Sequence, residues 1–115
     1  MPRSWRLARQ AEAATLDIAR WTIDHFGPLQ AASYEQDLID HCRGIAAGTT
    51  HSRPCRELVD PDLPEDLRFT RCGEHFLVFI DAEDMVVFVD ILHVRSDLPG
   101  HLAKLTDAPR TTNRP

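Results

Sequence analysis

Phe88-Val89-Asp90-Ile91-Leu92-His93-Val94-Arg95-Ser96-Asp97 is the stretch on which the reading of this chain turns. Five of its first seven residues are apolar, mostly β-branched or bulky, which suits a strand covered on both faces. His93, Arg95 and Asp97 then fall at alternate positions, so a strand continuing through them would carry all three on one face. The trio has the residue types of a reaction centre. It also has those of a polar plug fastening the sheet to the next segment, and the apolar lead-in favours the plug, with His93 as a hydrogen-bonded structural histidine. Arg95 and Asp97 can pair to fix the start of a final helix.

Working back, two further strands precede this one. Met85 to Leu92 is the last strand; Asp81 to Asp84 turns the chain; Phe76 to Ile80 is a dense apolar run; Gly73-Glu74 is a tight turn; Leu67 to Cys72 is the first of the three. Turns this short join antiparallel neighbours. The first half of the chain has a different period. Leu7, Ala11, Ala14, Ile18, Trp21 and His25 recur at spacings of four and three, the mark of one apolar helix stripe. Phe26-Gly27-Pro28 stops that helix, with Gly27 as a left-handed cap and Pro28 in the first turn of the next. Ala31, Tyr34, Leu38, Cys42 and Ile45 repeat the spacing up to Gly48, so two amphipathic helices form an antiparallel hairpin. Trp21 and Tyr34, lying on these stripes, are read as core. Arg3 to Leu7 alternates as a short first strand.

Between Gly48 and Asp66 the periodicity vanishes, and Pro54, Pro61 and Pro64 predict a long irregular connection. Such loops in small domains are often functional. Asp97 caps a short final helix through Leu105, and residues 106–115 are expected to be a disordered tail. The order describes one α+β domain over residues 1–105, a helical hairpin packed on a mainly antiparallel four-stranded sheet.

At 115 residues the chain supports a single core that buries roughly two-thirds of the unfolded surface. No secretory signal or membrane-length apolar stretch is read, which predicts a soluble, cytoplasmic protein. Cys42, Cys55 and Cys72 are odd in number and lack a Cys-x-x-Cys pair, so reduced thiols are expected. The six histidines have no metal-ligand spacing, and neither a metal nor another cofactor is expected. A net charge of −5 disfavours a protein whose main task is to neutralise phosphates.

Several of these features, taken in order, resemble the ParE branch of the RelE/ParE toxin superfamily, the toxin halves of bacterial type II toxin–antitoxin pairs. They are the alanine-rich first helix with Ile18 and Trp21, the Phe26-Gly27 stop, Gln30-Ala31 with Tyr34 and Leu38, Leu67-Arg68, Gly73-Glu74-His75, and Leu92-His93-x-Arg95-x-Asp97. The resemblance runs from about Leu7 to Leu102. Two positions depart from the family pattern: Phe79 stands where the family often has tyrosine, and Val94 where glycine often follows the histidine.

The resemblance implies a non-catalytic toxin that poisons DNA gyrase. It also implies a cognate antitoxin whose C-terminal segment wraps the toxin in a hetero-oligomer. Arg68, Arg71, His93 and Arg95 are then the candidate target contacts. The alternative is a RelE-like ribosome-dependent mRNA endoribonuclease, which needs a base for the ribose 2′-hydroxyl, a cation for the phosphorane charge and an acid for the leaving oxygen. Arg68, His75, His93 and Arg95 supply those types. Against it, Glu57, Asp60, Asp62, Glu65 and Asp66 crowd the segment before Arg68, where they repel phosphates, and Asp66 or Glu65 can pair locally with Arg68. Both parities of Phe76 to Ile80 are apolar, so either the C-terminal segment or a partner must cover the second sheet face. An open strand edge also invites β-addition by a peptide.

Overall fold

The computed structural model describes residues 3–102. Strand β1 (Ser4–Leu7) leads into two long helices, α1 (Arg9–Phe26) and α2 (Pro28–Ala47). A two-residue strand β2 (Arg53–Pro54) and a one-turn helix α3 (Cys55–Leu58) follow, then β3 (Leu67–Cys72), β4 (His75–Asp81) and β5 (Met85–His93). The sheet order is β1-β5-β4-β3-β2, with β1 parallel to β5 and the other neighbours antiparallel. This is the expected α+β arrangement with five strands in place of four. No helix among the described residues is long and apolar enough to cross a membrane.

The extra strand comes from the connection expected to be irregular. Arg68 does not pair with Asp66 or Glu65; its Nε donates to Ser52 Oγ at 2.8 Å and its Nη2 to Ser52 O at 2.9 Å. Thr70 Oγ1 donates to His51 O at 2.9 Å. These bonds hold residues 51–54 against β3, and Pro54, which has no N–H to give, fits there because β2 is an edge. At the other end of the chain, residues 98–102 are helical, with Gly100 N donating to Asp97 Oδ1 at 3.3 Å. Residues 103–105 of the predicted final helix and the tail at 106–115 lie outside the described residues.

The sheet has an apolar cluster on each face. The helices cover Leu77, Phe79, Val86, Phe88 and Ile91. Phe88 and Ile91 differ in parity, and they reach the same face because the register of β4 on β5 shifts between Val78 and Phe79. On the second face Cys55 and Leu63 from the connection, with Leu98 and Leu102 from the final turn, pack on Leu67, Phe69, Val78 and Leu92. The chain therefore covers its own second face from both of its irregular segments.

Arg3 fixes the register of hairpin on sheet. Its guanidinium pairs with Asp81 and donates to Ala82 O at 2.9 Å, and it reaches Ile45 O at 3.0 Å and Ala46 O at 3.3 Å. It thereby binds Ala46 O and adds a second donor to Ile45 O, which already accepts from Gly48 N at 3.1 Å. From Ala46 back to Tyr34, α2 rises about 18 Å. From Asp81 to His75, β4 covers about 20 Å. The two end level, so residues 28–33 of α2 project about 9 Å beyond the strands.

The hairpin tip is consequently exposed. Trp21, read from its periodicity as core, is 55% exposed, and Phe26 and Leu29 are 65% and 87% exposed. The stripe is real, but its sheet-facing half ends near Ile18. Gly27 turns the chain at φ 90°, ψ 168°, a conformation open to glycine but different from the left-handed helical cap expected.

Phe88→Ala should cost about 3–5 kcal/mol, because Phe88 is fully buried and its ring meets Trp5 and Phe79. Trp21→Ala should cost no more than about 1 kcal/mol. Urea melts of the two variants measure the contrast directly.

Candidate functional site

The overhang makes a groove of about 670 Å³ between the hairpin tip and the ends of the strands. Asp17, Ile18, Trp21, Thr22 and Phe26 of the first helix form one wall. Gln30 and Tyr34 of the second line it too, and Glu74, His75, His93 and Arg95 come from the β3–β4 turn and the end of β5. Trp21 stacks on His25 at 4.1 Å between ring centroids and meets Phe26 edge-on at 5.8 Å.

Tyr34 organises the strand side. Its hydroxyl donates to Cys72 O at 3.0 Å, accepts from Glu74 N at 3.2 Å, and lies 2.6 Å from His75 Nδ1. A hydroxyl has one proton, and the Cys72 carbonyl can only accept. All three contacts are satisfied when His75 carries its proton on Nδ1 and donates it to Tyr34, which leaves Nε2 as an acceptor. Burial, reinforced by His93, lowers the His75 pKa, so near neutral pH the ring is uncharged. Burial also raises the Tyr34 pKa, which keeps the phenol protonated.

Gly73 makes this packing possible. At φ 59° it turns β3 into β4, and a Cβ there would meet the Tyr34 ring at 2.7 Å. His93 is exposed and hydrogen-bonded at the end of β5. Its ring meets His75 edge-on at 5.3 Å, and its Nδ1 accepts from Arg95 N at 3.1 Å. β5 ends at His93, so His93, Arg95 and Asp97 do not share a strand face. Arg95 and Asp97 form no ion pair among the described residues.

Of the residues singled out from the sequence, His75, His93 and Arg95 therefore meet in the groove. Arg68 and Arg71 do not. Arg68 is held by Ser52, four residues up β3 and about 13 Å from the strand end. Arg71 shares its parity with Leu67 and Phe69 of the second face and donates Nε to Gly73 O at 2.9 Å. Asp17 and Glu74 were missed as lining residues, and Trp21 and Tyr34 were assigned to the core. Tyr34 does pack on the core, and its hydroxyl reaches the groove from the core's edge.

The three cysteines are buried, and Cys72 Sγ lies 3.3 Å from His41 Nδ1. Burial pushes the thiols of Cys42 and Cys55 up to about 12 and that of Cys72 up to about 11. No three His, Cys, Asp or Glu side chains among the described residues are placed to hold a metal ion. The groove offers apolar and aromatic walls, two carboxylates, one guanidinium and an uncharged imidazole with an open acceptor.

Comparison with known proteins places this geometry in context. Residues 5–98 match the family model for the ParE toxin of the type II toxin–antitoxin system, parDE. Among solved structures, a chain of the chromosomal ParDE toxin–antitoxin system from P. aeruginosa is similar in fold, with a TM-score of 0.65 at 18% identity, over 81% of this chain and 97% of that one. No curated protein matches by sequence.

His75 makes stability depend on pH. Its folded pKa lies below the ordinary 6.5, so between the two values the unfolded chain binds more protons. The contribution is complete above 6.5 and is lost as pH falls through the folded value. Urea melts from pH 7.5 down to about pH 5 should show a decline that shrinks in His75→Asn. An NMR titration should place the His75 midpoint below 6.5 in the wild type and nearer to it in His93→Ala.

Proposed function

This chain belongs to the ParE toxin family of type II toxin–antitoxin systems, and on that premise we propose that it inhibits growth by binding DNA gyrase and is neutralised by a cognate antitoxin. The observation that carries the proposal against RNA cleavage is the scatter of the cations. A nuclease needs its base, acid and phosphate-stabilising cations around one scissile bond. Arg68 is committed to Ser52, Arg71 belongs to the other face, and Arg95 is the one Lys or Arg lining the groove, where Asp17 and Glu74 oppose it. Two carboxylates beside one arginine repel a phosphodiester backbone. Aromatic and apolar walls with a few polar groups suit a protein surface instead.

In this reading His93 and Arg95 contact the target from the groove rim. Arg68 and Arg71 contribute only where a bound protein extends beyond it. The antitoxin acts by occupying the toxin, and all of this takes place in the cytoplasm.

Purified toxin should inhibit gyrase supercoiling and leave mRNA on translating ribosomes intact when the two assays run in parallel. Cleaved message with unaffected gyrase would reverse the assignment. His93→Ala should keep the wild-type melting curve to within about 1 kcal/mol, since the ring is exposed, while reducing growth inhibition on induction.

A further inference from the structure

Among the charged side chains lining the groove, carboxylates outnumber cations, and this bears on what binds there. Asp17 stands on the α1 wall and Glu74 on the β3–β4 turn. Neither is in an ion pair among the described residues. The rings of Trp21 and Tyr34 line the same groove, and His75 Nε2 is an acceptor when Nδ1 donates to Tyr34. Trp21 and Phe26 provide the apolar area that surrounds these acceptors. A carboxylate on either side, aromatic faces and a neutral nitrogen acceptor make a receptor for a cation on an apolar chain. An acidic segment would meet two like charges and find one arginine.

We infer that the groove receives an apolar segment of the antitoxin that presents a single Lys or Arg side chain between Asp17 and Glu74, with its flanking apolar residues on Trp21 and Phe26. The inference rests on the toxin–antitoxin reading and names the chemistry of the contact. Arg95 lies on the strand side with Glu74, where Val94 N donates to Glu74 O at 2.9 Å, and its guanidinium donates to an acidic residue or carbonyl of the same segment.

The test uses the full-length toxin and the antitoxin encoded beside it, with affinity measured by calorimetry. Asp17→Asn with Glu74→Gln preserves shape and removes both charges, and it should weaken binding roughly tenfold or more. Replacing each Lys and Arg of the antitoxin's toxin-binding segment by Gln should find one whose loss is large on wild-type toxin and nearly absent on the double variant. Unchanged affinity in a folded double variant overturns this inference and leaves the toxin–antitoxin reading standing. An antitoxin that fails to bind wild-type toxin overturns both. A toxin that dimerises alone in sedimentation, and loses the dimer in the double variant, assigns the groove to a second copy and overturns the inference.

Discussion

The helical hairpin is longer than β4, and Arg3 determines at which end the excess falls. By gathering the last carbonyls of α2 and the β4–β5 turn onto one guanidinium, it aligns helix and sheet at that end. All the surplus helix then projects past the other. Had the register been centred, the tip aromatics would have been shared between two shallow margins. Instead one groove forms, floored by strand ends and walled by a stripe that has run out of sheet.

That constraint also explains the division of labour along the sheet. Under the helices the sheet packs through Leu77, Phe79, Val86 and Phe88, which are buried and carry no polar atom beyond the backbone. Polar chemistry gathers where the strands stop, at Glu74, His75, His93 and Arg95. Tyr34 joins the two regimes. Its ring packs against the core while its hydroxyl holds the His75 ring through Nδ1 and braces the turn at Gly73. The second face needs no partner to be stable, because the α3 segment and residues 98–102 close it. The groove is thus the apolar surface that the chain leaves open to others at this end of the hairpin.

Much of this was legible in the sequence. The two helix stripes, the glycine-proline break and the three closely spaced strands are local patterns, and the elements lie where periodicity places them. Trp21 was misread because periodicity reports which side of a helix is apolar, and not how far the facing surface extends. The β2 strand was invisible because two residues, one of them proline, carry no alternation. Arg68 was misassigned because charge neighbours at Glu65 and Asp66 suggested a local pair, whereas the stronger partner, Ser52, lies across an irregular connection. The trio at the end of β5 was divided by a turn: His93 and Arg95 reached the groove, while Asp97 became a helix cap. Family likeness could not repair these readings, since it conveys the fold and not the placement of particular side chains.

The central claim is that the overhang groove is the working surface of this toxin. Chemical-shift mapping of isotope-labelled toxin during titration with its antitoxin tests it most directly. The largest changes should fall on the Trp21 indole and on Phe26, Tyr34, Glu74, His75 and Arg95. Changes confined to the face covered by Leu63, Leu98 and Leu102, with the Trp21 indole unmoved at saturation, would contradict it.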